Sequence, residues 1–289
     1  MADNAVLRTY SGAVAIVTGG ASGIGRALSE ALAQRGAIVV IADRQADLAE
    51  ETAARIRGVN GKAAAAAVDV TDFDAMDRLV QQVVLEQGRL DYFFNNAGIG
   101  IGGEVRDYQI QDWRDVFAVN IGGVANGVQA AYPVMVRQGF GHIINTASMA
   151  GLMPAPLTVA YGAAKHAVVG LSTSLRIEAA RYGVRVSVLC PGVIRTPILD
   201  GGRYGRMLRD LPQEVREKSW KALRPMEPAL FARQVLRQVA HNRAIIVVPA
   251  WWKLIWWINR LSPKLGLALG DQLYRWGRKA WDSAPPSKV

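Results

Sequence analysis

Residues 18–25 read TGGASGIG, and they follow directly on the apolar run AVAIVT at residues 13–18. Gly19, Gly23 and Gly25 let the chain turn tightly and let a pyrophosphate approach the backbone. An amphipathic segment follows, so the free N–H groups at its N-terminus would face the loop and favour negative charge. A strand, a glycine loop and a helix in this order predict a dinucleotide-binding unit.

The rest of the chain repeats the alternation of short apolar and longer amphipathic segments as far as about residue 248. Strands that alternate with helices predict an α/β fold of the Rossmann type, a doubly wound parallel sheet of about seven strands. The remaining predicted strands are 37–42, 61–70, 90–96, 141–148, 184–191 and 244–249. The predicted helices are 24–36, 45–57, 72–87, 113–138, 159–182 and 229–241.

Residues 61–70, GKAAAAAVDV, are the least regular of the predicted strands. Alanine favours helix, but the Asn60-Gly61 turn before the segment and the VDV that ends it favour a strand. We therefore predict the third strand here.

The chain divides at about residue 250 into a catalytic domain, 1–250, and an extension, 251–289. Residues 199–227 are polar and broken by glycine and proline, and they predict an excursion with one or two short helices. The wider segment 194–227 is expected to form a lid over the substrate.

Asp43 stands at the end of the second strand, eighteen residues after Gly25. A carboxylate there can accept both hydroxyls of an adenosine ribose and would repel a 2′-phosphate, which favours NAD. Arg44 beside it could instead bind that phosphate, so NADP remains the less favoured alternative.

Tyr161 and Lys165 are four residues apart on a predicted helix and so share one face. A phenol is a poor base at neutral pH, and a lysine ammonium beside it is expected to favour the phenolate. Ser148, at the end of a predicted strand, could hold a substrate oxygen. On its own, a Tyr–Lys pair at this spacing is common on solvated helices.

Together these motifs resemble the classical short-chain dehydrogenase/reductase family over about residues 10–250. TGGASGIG is similar to the family's TGxxxGxG loop, and NNAG at 95–98 is similar to the turn that supports its sheet and cofactor. Asp69 in DVT matches the acid near the adenine ring, and PG at 191–192 matches the segment along the nicotinamide. The family's NADP-preferring members often carry a basic residue at the position of Ser22, which again favours NAD.

The resemblance implies a catalytic tetrad of Asn120, Ser148, Tyr161 and Lys165. Asn120, in VNIGG, also matches the asparagine that bends a helix in this family. Tyr161 would transfer the proton, Lys165 would lower its pKa and hold the ribose, Ser148 would position the carbonyl, and Asn120 would anchor a water for proton relay. The implied cofactor-binding residues are Gly19, Ser22, Gly23, Ile24, Gly25, Asp43, Arg44, Asp69, Val70, Asn96, Ala97, Gly98, Tyr161, Lys165, Pro191, Gly192, Val193 and Thr196.

The leading hypothesis is therefore an NAD(H)-dependent oxidoreductase that interconverts an alcohol and a ketone or aldehyde. The alternative is a scaffold or sensor that binds NAD without turnover. In this family substrate specificity comes from variable segments, which correspond here to about 149–160 and 194–227. Apolar residues in these segments indicate a lipophilic substrate such as a steroid, retinoid, terpenoid or fatty alcohol. The resemblance also implies a homodimer or homotetramer. Those apolar residues are Met149, Leu152, Met153, Pro154, Pro156, Leu157, Ile198 and Leu199.

The single cysteine, Cys190, excludes an internal disulfide, and the N-terminus lacks the basic and apolar regions of a secretory signal. We expect a cytoplasmic protein in which Cys190 packs in the core. The three histidines have no partners at ligand spacing, so no metal site is expected.

The stretch PAWWKLIWWINRLSPKLG begins at residue 249 and runs into the extension. From residue 251 onward the extension holds seven basic and two acidic residues, so it carries half of the chain's net charge of +10. A helix over 251–261 would lie in a membrane interface, and the contact could continue to about residue 281. Trp252 would then lie on a flank of that helix, between its apolar and basic faces. The alternative is a tail that folds back over the substrate pocket or a partner subunit. Leu and Ile beside the tryptophans disfavour nucleic acid as a partner, and the apolar stretch is too short to span a bilayer.

Overall fold

A parallel seven-stranded sheet forms the centre of the computed structural model, which describes residues 6–199, 204–209 and 223–282. Its strand order is β3-β2-β1-β4-β6-β7-β9, and every neighbouring pair is parallel. The strands of this sheet are β1 Val14–Thr18, β2 Ile38–Asp43, β3 Lys62–Ala67, β4 Tyr92–Asn95, β6 Gly141–Thr146, β7 Val184–Pro191 and β9 Ile245–Val248. The order reverses between β1 and β4, which opens a crevice at the carboxyl ends of the strands.

Helices cover both faces of the sheet, as the predicted doubly wound fold requires. The helices are α1 Gly23–Ala33, α2 Ala46–Arg57, α3 Phe73–Gln87, α4 Ile110–Phe117, α5 Gly123–Gln138, α6 Val159–Ala179, α7 Pro228–Ala240, α8 Trp252–Leu261 and α9 Pro263–Asp282. One core cluster joins the sheet to α1, α2 and α7, and another joins its opposite face to α3, α5 and the end of α6. The predicted α/β fold is confirmed, and the alanine-rich β3 is a strand, paired along its whole length with β2.

The predicted helical segment 113–138 is interrupted at Asn120, where the resemblance implied a bend. The helix begins earlier, at Ile110, and a π-helical turn over Ala118–Gly122 separates α4 from α5. Asn120 lies in this turn, where its Oδ1 accepts from the Ile99 N–H at 2.9 Å and its Nδ2 donates to the Ile99 carbonyl at 2.9 Å. A buried amide that bonds a neighbouring loop at both ends holds the extra residue of the turn in place.

Part of the excursion after β7 forms a strand. Residues Gly205–Met207 are β8, which pairs in parallel with β5, Gly100–Gly102, in a separate two-stranded sheet. The short helices predicted within 199–227 fall largely on residues 200–203 and 210–222, which lie outside the described residues.

The extension forms two helices, α8 and α9, joined at Ser262. Trp252, predicted on a flank of the first helix, is instead its buried residue, with 9% of its surface exposed. It joins a core cluster with Met149, Leu152 and Cys190, so the apolar side of α8 that faces the protein begins at this indole. Among the helices of the described residues, none combines the length and the apolar composition needed to cross a bilayer.

Candidate active site

A cavity of about 500 Å³ lies at the carboxyl ends of β1, β2, β4, β6 and β7. Of the site residues predicted from the sequence, all except Gly25 and Asn120 line this cavity. Those that line it are Gly19, Ser22, Gly23, Ile24, Asp43, Arg44, Asp69, Val70, Asn96, Ala97, Gly98, Ser148, Tyr161, Lys165, Pro191, Gly192, Val193 and Thr196.

The glycine loop forms a backbone cradle at one end of the cavity. Gly19 has φ of +60°, and a Cβ there would lie 2.8 Å from Cα of Ala97. Gly25 lies behind the loop, where a Cβ would fall 2.0 Å from the Gly19 carbonyl oxygen. Helix α1 begins at Gly23, directly after Ser22. The loop therefore leaves room that side chains would fill, in front of a helix N-terminus, and this arrangement fits a pyrophosphate.

Asp43 closes the same end of the cavity from the last position of β2. Its carboxylate is buried and accepts from the Ala21 N–H at 3.2 Å and from the Gln45 N–H at 3.0 Å. These two bonds fix the carboxylate against the glycine loop. Each oxygen keeps a second lone pair, so the group can still accept hydroxyl donors from the cavity.

The NNAG turn is tied to the end of β1 through Thr18, a residue that the sequence did not single out. The Thr18 hydroxyl accepts from the N–H groups of Asn96 at 2.9 Å and Ala97 at 3.1 Å. Asn96 Nδ2 donates to the Thr18 carbonyl at 3.1 Å. The only sequence signal was the position of this threonine, at the start of the TGGASGIG loop.

Ser148, Tyr161 and Lys165 come together in the middle of the cavity. Ser148 caps the short turn Met149–Gly151, and its hydroxyl accepts from the Ala150 N–H at 3.1 Å. A side-chain hydrogen bond joins Ser148 and Tyr161. Lys165, one turn along α6, places Nζ 5.4 Å from the centre of the Tyr161 ring and donates to the Thr146 carbonyl at 2.9 Å.

Burial dominates the ionisation of these groups. It raises the pKa of Tyr161, an effect that the hydrogen bond with Ser148 opposes. It also lowers the pKa of Lys165 to about 8. The sequence had predicted that Lys165 would lower the pKa of Tyr161, but in this pocket desolvation outweighs any such effect, because a phenolate is costly to bury. At neutral pH Tyr161 is a protonated phenol beside a cationic lysine.

Asn120 is buried beside the cavity and not in its wall. Its side-chain amide is bonded to both backbone groups of Ile99. The carboxamide therefore holds the loop after NNAG against the π-helical turn.

Cys190 lies at the floor of the site, fully buried, and burial raises the pKa of its thiol to about 12. A protonated, enclosed thiol is unreactive, which agrees with the packing role expected from the sequence. Across residues 6–199, 204–209 and 223–282, no three His, Cys, Asp or Glu side chains are grouped to hold a metal ion.

The other end of the cavity is apolar. Of the eight apolar residues that the sequence singled out, all but Leu152 line it. The sequence missed four lining residues from the extension, Trp252, Leu273, Trp276 and Gly277. Their signal was present only as an amphipathic pattern, which does not show what a helix packs against.

Specific contacts hold the extension over the rim of this cavity. Tyr274 donates its hydroxyl to Glu104 Oε1 at 2.6 Å, and this bond lowers the pKa of Glu104. Asn259 Nδ2 donates to the Leu152 carbonyl at 3.0 Å. The indole of Trp252 lies so close to Gly192 that a Cβ there would fall 2.1 Å from its Nε1. The structure thus has the folded-back tail that was one of the two alternatives.

Comparisons with known proteins agree on one family. A sequence model described as short chain dehydrogenase matches residues 13–203. An uncharacterized oxidoreductase of Staphylococcus epidermidis is 36% identical over 204 residues, which are 71% of this chain and 87% of that protein. The meso-2,3-butanediol dehydrogenase of Serratia marcescens is 34% identical over 209 residues, 72% of this chain and 78% of the relative. The structure is also similar to a short chain dehydrogenase/reductase of Burkholderia phymatum in complex with NAD, with a TM-score of 0.79 and 29% identity, covering 89% of this chain and 96% of the other.

Proposed function

Because the chain belongs to the classical short-chain dehydrogenase/reductase family, we propose that it is an NAD-dependent oxidoreductase that interconverts a lipophilic alcohol and its ketone or aldehyde. One observation carries the proposal. A glycine cradle at a helix N-terminus and the Ser148, Tyr161 and Lys165 side chains line the same cavity. The cradle suits a dinucleotide, and the three side chains suit a reacting hydroxyl or carbonyl.

In the proposed reaction, Tyr161 gives its phenolic proton to the carbonyl oxygen during reduction and takes a proton from the alcohol during oxidation. Ser148, hydrogen-bonded to Tyr161, would hold the same oxygen. Lys165 would keep a positive charge beside the phenol and donate to the ribose of the cofactor. The raised pKa of Tyr161 keeps the phenol protonated at neutral pH, which is the form that donates the proton during reduction.

NAD fits the polar end of the cavity. When bound, it supplies the hydride acceptor and its reduced form supplies the hydride. Asp43 is fixed where it would accept ribose hydroxyls and repel a 2′-phosphate, and Ser22 adds no positive charge to the loop. The Burkholderia phymatum structure, which holds NAD, supports the same choice.

A lipophilic substrate suits the other end of the cavity, where methionine, proline, leucine and tryptophan side chains meet. The catalytic unit we propose is residues 1–250 with 194–227 as its lid. The extension 251–289 supplies a further wall through Trp252, Leu273 and Trp276. On the family's pattern we also propose a homodimer or homotetramer. Light scattering after gel filtration measures the mass in solution and tests this.

Turnover of short polar alcohols, fatty alcohols and steroid or terpenoid alcohols, with NAD and with NADP, tests the proposal. We expect catalytic efficiency to be higher with NAD, and Asp43→Ala to narrow the difference because it removes the charge that repels the 2′-phosphate. A preference for NADP in the unmodified protein would show that Arg44 outweighs Asp43. NAD binding without turnover of any alcohol would favour the scaffold or sensor.

A further inference from the structure

Helix α8 is apolar on the side that faces away from the protein. Trp252 is buried, whereas Leu254, Trp257 and Leu261 are 67%, 49% and 79% exposed. At about 100° per residue these three side chains share one side of the helix, opposite Trp252. The buried side is explained by the contact with Gly192. Within residues 6–199, 204–209 and 223–282, Trp257 has a ring contact only with its neighbour Trp256, and Leu254 and Leu261 remain largely in water.

Helix α9 continues this pattern. Gly266 and Gly270 are buried in this helix, Gly266 against Asn259 and Gly270 against Pro154. Beside them Leu265, which is 57% exposed, and Leu269 begin a second apolar stripe. The stripe continues through Leu273 and Trp276, because positions four, eight and eleven residues apart lie along one side of a helix. We call Leu254, Trp257, Leu261, Leu265 and Leu269 the outer face of the extension.

The charge around the outer face is positive. Residues 251–289 hold seven basic and two acidic side chains. Lys253 and Arg260 lie on the flank of α8, and Lys264 lies between Leu261 and Leu265 in the sequence. A helix with leucines and an indole on one side and cations beside them is the pattern of a helix that lies in a membrane interface, and the cations attract anionic lipid.

We propose that the outer face docks the protein on the surface of an anionic phospholipid bilayer, with α8 and α9 lying in the interface. The inference goes beyond the proposed function, since docking does not depend on turnover. The extension then has two faces, one that walls the cavity and one that enters the headgroup region. Membrane contact and folding back over the pocket were alternatives in the sequence analysis, but with two faces the extension can do both.

Two other occupants are disfavoured. A second copy of the chain would bring the positive charge of one extension against that of the other, which repels unless it is compensated. Residues 283–289, SAPPSKV, contain one large apolar side chain, Val289, and so offer too little apolar surface to cover the outer face.

Docking has a consequence for the substrate, and this consequence alone rests on the proposed function. Leu273 and Trp276 belong to the α9 stripe and also line the cavity. The stripe therefore leads from the outer face to the cavity, so a lipophilic alcohol dissolved in the bilayer would reach Tyr161 without crossing water.

Flotation of the full-length chain with phosphatidylcholine vesicles, with and without phosphatidylglycerol, tests the docking. The wild type should float with the anionic vesicles, and Leu254→Ser/Leu261→Ser should lower its partition coefficient about tenfold or more. Leu85→Ser is the matched control, since Leu85 on α3 is 87% exposed and lies outside the extension. Its flotation should equal that of the wild type. Circular dichroism melting verifies that each variant is folded, so turnover is not needed for the test.

Two results would overturn the docking proposal: the wild type does not float with anionic vesicles, or the double variant floats as well as the wild type. If the wild type does not float and the double variant has a lower mass in solution, the outer face is assigned to contacts between copies of the chain. If flotation succeeds but no alcohol is oxidised, the docking stands and the proposed function fails.

Discussion

Lys165 illustrates how a residue with a proposed catalytic role can destabilise the fold. Its side chain is buried, its ammonium donates to the Thr146 carbonyl, and burial lowers its pKa from 10.5 to about 8. The lowered pKa means that the charged lysine costs the folded state about 3 kcal/mol at pH 7. A lysine is kept in such a place because a cation beside Tyr161 serves the proposed proton transfer.

We therefore predict that Lys165→Met stabilises the protein at pH 7 while it removes turnover. Methionine fills similar volume without charge, but the Thr146 carbonyl loses its donor at a cost of about 1–3 kcal/mol, so the net gain is on the order of 1 kcal/mol. Between pH 8 and 10.5 the unfolded state binds more protons than the folded state, so the wild type gains stability as the pH rises. The advantage of the variant should shrink through this window and reverse at its upper end.

Urea unfolding of both proteins without cofactor, from pH 7 to pH 10.5, measures the predicted reversal. Lys62→Met is the control, because Lys62 is exposed at the start of β3. It removes a lysine from the surface, so the difference between the two variants isolates the burial of Lys165. A Lys165→Met variant that is less stable than the wild type at every pH would show that the burial cost is smaller than the lost hydrogen bond.

At the scale of elements, the junction between β7 and α8 is one of the contacts that hold the extension against the rest of the chain. Gly192 follows β7 directly, and the Trp252 indole occupies the space that a side chain there would need. The backbone of Gly192 is not in the left-handed region, so space alone excludes a larger residue.

We predict that Gly192→Ala destabilises the protein by about 1–3 kcal/mol, through overpacking against the indole. The double variant Gly192→Ala/Trp252→Leu should be no less stable than Trp252→Leu alone, because the smaller side chain frees the space. Gly170→Ala on α6, where a Cβ would meet nothing within 4 Å, is the control and should be neutral or stabilising. Urea unfolding measures these free energies. If the changes caused by Gly192→Ala and Trp252→Leu add up in the double variant, Gly192 and Trp252 do not interact.

Much of the fold followed from the sequence because periodicity and turn chemistry are local. The seven strands of the large sheet, β3 among them, were predicted within a few residues. The resemblance placed a helix bend at Asn120, but the π-helical form of that bend was not predicted, because it depends on the contact of Asn120 with Ile99, which is distant in sequence. The β5–β8 sheet was missed because strands of three residues are too short to show an alternation of apolar and polar residues.

The site was predictable where a motif names residue types at fixed spacing, as in the glycine loop and the Tyr161–Lys165 pair. The site was not predictable where tertiary packing determines which residues line the cavity and which support it from behind. Asn120 and Gly25 belong to the motifs but lie behind the cavity wall, and Thr18 supports NNAG from another strand. The direction of the pKa shift of Tyr161 also required the structure, because burial is a property of the folded chain.

At the scale of the whole molecule, the extension brings together the two features that are unusual in this chain, its tryptophans and its excess positive charge. Trp252 and Trp276 line the cavity, and Trp257 lies on the outer face. The site that we propose on residues 1–250 fits alcohols in general. With the proposed docking, the apolar wall and the outer face favour alcohols that partition into a bilayer.

Steady-state turnover of Tyr161→Phe tests the central claim, that this cavity catalyses proton-coupled hydride transfer. The change removes only the phenolic hydroxyl, and it leaves the Lys165 contact with Thr146 and the glycine cradle in place. We predict that turnover with NAD falls by about a thousandfold or more, as general acid–base catalysis supplies factors of this size, while the dissociation constant for NAD is unchanged. Activity within about tenfold of the wild type would contradict the proposed role of Tyr161 and, with it, the account of the site.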